Sequence, residues 1–368
     1  MWITPEEKSF ESKTLWQRFL VIFAGPLMNF ILALFLFLII SFFVLKPNLE
    51  SNEIQSVTPG SPAFDIGVES GDFITEINGQ PVDSWETLGS IMTDLKTANL
   101  SILYTREGVP QSGDSIAFVQ IVGAGLANFD EDGQRYSQEP IIGTAYGRAS
   151  SEGKLASGDR ILALTIGTNQ TVVSSWDDII LFFSTQKEGT VEVEFLRDGS
   201  IETTTYRLIS HRAIEKLGHT PILIQMGIRP TESFDFAFMI TYPFRQVYSD
   251  TMSVINTIGL LFDPNEDLGL RDLSGPVGIF SLVSSTTSQG LLPIIAFTAF
   301  LSINIGLLNL LPIPALDGGR LVFLGIEAVT RKPLNRKLEN TINNLMFLLL
   351  MGLFIFVTFN DILKLFGG

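Results

Sequence analysis

Three stretches of this chain run far enough without a charged residue to read as membrane spans: 19–45, 291–311 and 345–359. A hydrocarbon core of ~30 Å takes about 20 apolar residues, and the third stretch reaches that length through uncharged flanks extending back to Asn340. A fourth apolar pattern is different in kind. Phe244, Tyr248, Met252, Ile255 and Gly259 recur at helical spacing with Arg245, Gln246, Ser249 and Asp250 between them, predicting an amphipathic helix over 234–262. Such a helix suits the outer membrane surface, a seat against the spans, or the core of a folded domain. Gly275-Pro276-Val277-Gly278 follows it and reads as a chain reversal before the second span.

Between the first span and the amphipathic helix the pattern repeats. Gly60-Ser61-Pro62-Ala63 leads to Ser70-Gly71-Asp72, and Gly147-Arg148-Ala149-Ser150 leads to Ser157-Gly158-Asp159, at an offset of 87 residues. Each Ser-Gly-Asp is followed by a strand-like run and then by a helix start, Ser84-Trp85-Glu86 in one copy and Ser175-Trp176-Asp177 in the other. Each copy ends in alternating strands joined by a turn, at Arg106-Glu107-Gly108 and at Arg197-Asp198-Gly199. The copies are expected over 50–115 and 116–210. The Asp130-Glu131-Asp132-Gly133 turn reads as part of an excursion from the repeat.

Composition and charge give these elements a membrane setting. Charged residues are 17% of the 368 positions against 46% hydrophobic ones, with 29 Phe, which favours a membrane protein. The net charge of −15 is unevenly spread: residues 46–235 hold 13 Lys and Arg against 27 Asp and Glu. By contrast, the segment after the second span carries Arg320, Arg331, Lys332, Arg336 and Lys337, and Lys8, Lys13 and Arg18 precede the first. Positive-inside counting therefore puts residues 1–18 and a basic loop at 320–339 in the cytoplasm, with the acidic repeat outside. The third span, 340–364, then ends outside, in a multi-pass protein of the cell membrane. No basic stripe is present for phosphates, so nucleic acid is not an expected partner. Without cysteine the chain has no disulfide, thiolate metal ligand or cysteine nucleophile. The first apolar run begins only after 18 residues and reads as a retained span, not a cleaved signal.

One acid stands out against this background. No charge occurs between Asp272 and Asp317, and Asp317 lies in Asn309-Leu310-Leu311-Pro312-Ile313-Pro314-Ala315-Leu316-Asp317-Gly318-Gly319-Arg320. A carboxylate in a span costs about 2.5–3.5 kcal/mol at the bilayer centre and usually pairs, binds an ion or faces a water-filled cavity. Pro312 and Pro314 lack the amide a helix interior uses, and irregular backbone at that depth lines a cavity or is buried in protein. The alternative is a plain helix end at the cytoplasmic surface, with Gly318-Gly319 as its turn. A broken helix bearing an acid also suits a secondary transporter, although three spans show no inverted repeat.

The repeat resembles two PDZ domains in tandem, of the bacterial type attached to envelope proteases, and more specifically so in the first copy. Three further motifs, Phe23-Ala24-Gly25-Pro26-Leu27-Met28-Asn29-Phe30, Gly275-Pro276-Val277-Gly278-Ile279 and Asn309 through Arg320, resemble in this order the site-2 protease family of intramembrane zinc metalloproteases. The resemblance implies a multi-pass α-helical membrane protein with two inserted extracytoplasmic PDZ-like domains, each α+β and partly an open β-barrel. It implies that Asp317 ligates a catalytic zinc and that Asn309 helps hold the substrate strand. It also implies that the substrates are transmembrane segments of membrane-tethered regulators or remnant signal peptides, and that the PDZ-like domains capture peptide termini by strand addition.

The family's two remaining zinc ligands belong to a His-Glu-x-x-His helix, whose Glu is the general base, and this chain has no such motif. Its only histidines are His211 and His219, which read as surface or satisfied residues. As written, the chain should not hold zinc in a hydrolytic geometry. Three explanations stay open: a chain that starts short of a working protease, a half that associates with an amino-terminal partner, and a non-catalytic relative that binds membrane proteins through its PDZ-like domains.

Overall fold

The computed structural model describes residues 13–130, 138–264, 275–287, 290–331 and 336–365. Lys8, Lys332 and the Glu131-Asp132-Gly133 part of the acidic turn lie outside these residues. In chain order the elements are α1 (Leu15–Ser41), β1 (Lys46–Pro47), β2 (Ile54–Val57), α2 (Pro62–Asp65), β3 (Phe73–Ile77), β4 (Gln80–Pro81), α3 (Trp85–Asp94), β5 (Asn99–Arg106), β6 (Val109–Ile116), β7 (Phe118–Ile121) and β8 (Leu126–Ala127). They continue as β9 (Thr144–Ala145), α4 (Arg148–Ser151), β10 (Arg160–Ile166), β11 (Asn169–Val172), α5 (Trp176–Thr185), β12 (Thr190–Arg197), β13 (Ser200–Arg207), α6 (His211–Lys216), β14 (Ile222–Gln225), β15 (Ile228–Pro230) and β16 (Glu232–Ser233). The last five are α7 (Phe236–Leu261), α8 (Pro276–Thr287), α9 (Leu291–Leu310), α10 (Asp317–Thr330) and α11 (Arg336–Leu365).

The chain divides into two compact units, a helical one holding α1, most of α7 and α8 to α11, and a β-rich one built on residues 46–234. Among the described residues, three helices of the first unit are long and apolar enough to cross a membrane: 15–41, 291–310 and 337–363. Thr14 opens α1 with a capping box, taking the Gln17 amide while the Gln17 side chain takes its own. Ala33, Phe37 and Ile40 of α1 and Ala299 and Ile303 of α9 form the buried seam, with Tyr242 and Val247 of α7 against it. Small residues let the backbones close. A Cβ at Gly306 would stand 3.1 Å from the Cβ of Asn29 and 3.2 Å from the Pro26 carbonyl, and the Ser302 hydroxyl donates to the Asn29 carbonyl at 2.9 Å.

Two expectations are corrected in this unit. Gly275-Pro276-Val277-Gly278 is no reversal; it is the start of α8, with Pro276 at the first helical position, where its missing amide costs nothing. The supposed loop at 320–339 is largely the helix α10, in which Leu321 and Leu324 are half-buried while Val322 and Ile326 are exposed, an apolar content that the charge count concealed. In α7 the apolar stripe is the outward one, with Phe244 61% and Tyr248 69% exposed, while Tyr242 packs edge-on to Phe37 at 6.5 Å.

In the β-rich unit the two copies share one topology, β4-β3-β5-β6 and β11-β10-β12-β13, each antiparallel throughout. The helix starts are capped alike, Ser84 taking the Thr87 amide and Ser175 the Asp178 amide. The copies do not end where the local pattern does. β15 pairs antiparallel with β2, matching Ile228 to Val57, so the first copy is completed by residues more than a hundred positions beyond its last strand. The second copy is completed earlier, by β8 on β9, so it is nested inside the first. The two share one core, running from Ile54 and Ile74 to Trp176 and Phe183.

Candidate functional site

The site is built where the helix after the second span begins. α9 ends at Leu310 because Pro312 and Pro314 cannot supply the next helical amides. The six residues 311–316 fold into tight turns, with the Ile313 amide on the Leu311 carbonyl at 2.7 Å and the Leu316 amide on the Ile313 carbonyl at 3.2 Å. Ala315 sits at φ 75°, a left-handed conformation that strains a residue bearing a Cβ, and its amide donates to Asn343 Oδ1 of α11 at 3.0 Å. Asn343 thus holds the strained turn in place. Nothing in the local sequence pointed to it.

Asp317 is the first residue of α10, half-buried, with its carboxylate at the positive end of the helix. Gly318 and Gly319 follow because nothing larger fits: a Cβ at Gly318 would land on the carbonyl oxygens of Leu310 and Leu311, and one at Gly319 on those of Ile313 and Pro314 Cα. The carboxylate faces α1, with Oδ2 3.2 Å from where a Cβ at Gly25 would stand. Two separate motifs therefore meet here, the Gly25-Pro26 step of α1 and the Leu316-Asp317-Gly318 step of α10. A second tie lies further along the same helix pair, where Arg18 donates to both carboxylate oxygens of Glu327, at 3.1 and 2.7 Å.

Asn309 is half-buried in the last turn of α9, on the other side of the 311–316 turn from Asp317. Gly275 and Gly278 do not join this site. The Gly278 amide donates to Asp361 Oδ2 of α11 at 2.8 Å, and a Cβ at Gly275 would stand 2.9 Å from the same oxygen. The histidines lie in the β-rich unit: His211 opens α6, where burial, with the Lys187 charge, holds its imidazole below the ordinary histidine range. Among the described residues no three of His, Cys, Asp and Glu gather as a metal-binding group. Asp317 offers one carboxylate oxygen ligand of the kind zinc accepts, and the residues around it do not by themselves complete a zinc site.

A family profile described as Peptidase family M50 matches residues 2–353. A zinc metalloprotease RasP from Shouchella clausii (strain KSM-K16) is 29% identical over 365 residues, which cover 99% of this chain and 64% of the relative. A second RasP, from Oceanobacillus iheyensis, is 28% identical over 364 residues, with the same coverage of 99% and 64%. A regulator of sigma E protease from Haemophilus influenzae is 27% identical over 390 residues, covering 99% of this chain and 82% of that one. The chain thus spans 64% of the length of the RasP relatives it matches. A crystal structure of the PDZ domain of an SdrC-like protein from Listeria monocytogenes covers 24% of this chain and 85% of its own, at 22% identity and a TM-score of 0.18.

Proposed function

The chain belongs to peptidase family M50, the site-2 proteases, and from that premise we propose that it is the carboxylate-bearing portion of an intramembrane zinc metalloprotease. The observation that carries this reading is the meeting of Gly25 and Asp317. The two motifs are nearly 300 positions apart, yet they place a single acid against a glycine of the neighbouring helix. In this reading Asp317 is one zinc ligand, and zinc, when bound, supplies an activated water for peptide hydrolysis. The imidazole ligands and the general base come from a segment outside these 368 residues, since the sequence holds no His-Glu-x-x-His.

The chain's own residues then have separable tasks. Asn309, at the end of α9, offers an amide side chain to the backbone of an unwound substrate strand. The turn at 311–316 supplies irregular backbone beside it, and Gly318 and Gly319 keep the carboxylate close to the helix that precedes it. Lys13 and Arg18 at one helix start, and Arg320, Arg331 and Lys337 after the second apolar helix, support a cytoplasmic setting for that side by the positive-inside rule. The acidic β-rich unit then lies outside, as two PDZ-like domains that meet the external parts of clients. The clients are membrane-tethered regulators or remnant signal peptides.

The test pairs two substitutions in a cleavage-competent preparation, in which this chain is produced together with a His-Glu-x-x-His-bearing span. Asp317→Ala should abolish zinc retention and cleavage of a model transmembrane segment together. Asn309→Ala should slow cleavage while zinc stays bound. Zinc content and cleavage unchanged in Asp317→Ala would refute the assignment. A second reading, a non-catalytic binder of membrane proteins, is favoured by one fact, that both histidines lie in the β-rich unit. It predicts client binding with no cleavage whichever span is supplied.

A further inference from the structure

The two copies in the β-rich unit differ at one edge. In the first, β15 has a single ladder partner, β2, among the described residues, and its other edge faces α3 across a groove of about 510 Å³. In the second, the corresponding strand β8 is laddered on both sides, by β9 and by β7. The correspondence follows from the repeat: Val57, paired with Ile228, matches Thr144, paired with Ala127, at the offset of 87. The place left open beside β15 is therefore the place taken by β7 beside β8. Val119 and Ile121 of β7 are 0% and 1% exposed, so that strand is seated.

The helices facing these edges are built to match. Gly89 of α3 lines the groove, is exposed, and a Cβ there would meet nothing within 4 Å. Counting from the shared Ser-Trp helix start, Gly89 corresponds to Ile180 of α5, which is fully buried. Met92, likewise, corresponds to Phe183. The helix is thus small and open where the groove is empty, and large and covered where the chain fills its own edge.

We infer that only the first copy is receptive: it takes an extended segment of another polypeptide onto the free edge of β15, while the second copy is permanently occupied by β7. The occupant's chemistry can be read from what β7 does and from the groove's charge. β7 adds antiparallel and buries alternate side chains, so the guest runs antiparallel to β15 with apolar residues at alternate positions. Among the described residues Arg229 is the one charged residue lining the groove, in a segment that is otherwise strongly acidic. An antiparallel guest passes Arg229 with its amino-terminal part, so an Asp or Glu belongs there, ahead of the apolar positions. This inference needs neither zinc nor cleavage, so its failure would leave the protease reading standing.

The probe is a fluorescein-labelled peptide with the sequence of residues 116–121 in which Ala117 is replaced by Asp, one same-face position ahead of Val119, the β7 residue that lies opposite the counterpart of Arg229. It is titrated against the full chain in detergent micelles and followed by fluorescence anisotropy. Gly89→Trp should weaken binding at least tenfold with the melting curve unchanged, since the added ring enters the empty groove, and Gly89→Ala should bind like the parent. Arg229→Ser, or replacing the peptide's Asp with Asn, should each cost several-fold, and the two together no more than either alone. A photo-crosslinking version should label α3 and residues 225–229. Four results would overturn the proposal: no saturable binding, equal affinity in Gly89→Trp, crosslinks on α5, or dimers of the parent chain that Gly89→Trp dissolves, which would make a second copy the occupant.

Discussion

The Asp317 carboxylate occupies space that the absent side chain of Gly25 leaves free, with Oδ2 3.2 Å from the position of a Cβ. That spacing is tighter than an ordinary contact, so the outcome depends on how far the acid can give. On the proposed role of Asp317, and in the preparation that supplies the His-Glu-x-x-His span, Gly25→Ala should be borne with a modest loss of cleavage. Gly25→Leu should displace the carboxylate and remove zinc retention and cleavage, while α1 itself gains helix propensity. Zinc content measured beside helicity in the same micelle preparation separates these effects. Full zinc binding in Gly25→Leu would mean that the acid is not held where the helices meet.

Arg18 and Glu327 form a two-pronged pair with side chains only 17% and 22% exposed. Geometry of this kind is worth more than a surface ion pair, because both groups are largely withdrawn from water and the fork fits a carboxylate. Glu327→Ala should destabilise the helical unit by about 2 kcal/mol, and Arg18→Lys should recover less than half of the pair, since one ammonium cannot serve both oxygens. A double-mutant cycle on thermal unfolding in micelles checks this. Additive losses would show that the two side chains act independently.

Much of this architecture was legible from local pattern. The spans, the repeat with its Ser-Trp helix starts, and Asp317 as the anomalous acid all follow from residue types close together in the chain. What escaped was set by distance or by competing signals. β15 is bound to β2 across some 170 positions, and Ile228-Arg229-Pro230 is too short to show an alternation of its own. Asn343 matters only because α11 brings it to the amide of Ala315. Gly275-Pro276 carries the same local signal whether the chain turns or starts a helix, and Asp361 decides between them from 83 residues away.

That carboxylate supports another prediction. Asp361 is 4% exposed, takes the Gly278 amide at 2.8 Å, and lies with Val357 Cγ1 where a Cβ at Gly275 would be, 2.9 Å from each. Gly275→Ala must push α8 and α11 apart and should cost about 1–3 kcal/mol. Asp361→Leu should expose the amides at the start of α8 to faster hydrogen exchange, whereas Asp361→Asn, which keeps an acceptor, should protect them nearly as well as the parent. Equal exchange in all three would show that α8 is held by other contacts.

The last prediction concerns acid. Asp72 takes Arg106 Nε at 2.9 Å, Nη2 at 2.8 Å and the Glu69 amide at 2.8 Å, an arrangement repeated by Asp159 and Arg197 in the second copy. Burial raises the Asp72 pKa, but the Arg106 hydrogen bonds, the Glu69 amide and the guanidinium charge outweigh it, leaving the carboxyl below its ordinary range. A carboxyl depressed on folding stabilises the fold above its unfolded value of about 3.9, and that contribution disappears as the pH falls through the lower folded value. Asp72→Asn should therefore cost about 1 kcal/mol at neutral pH, allowing for solvent on the Arg106 side. The gap between parent and variant should close below about pH 4. Urea midpoints of the β-rich transition, taken from neutral pH to about pH 2.5, would show this. A gap that stays constant over that range would mean the depressed carboxyl does not supply the stabilisation, and that Asn disrupts the turn by shape alone.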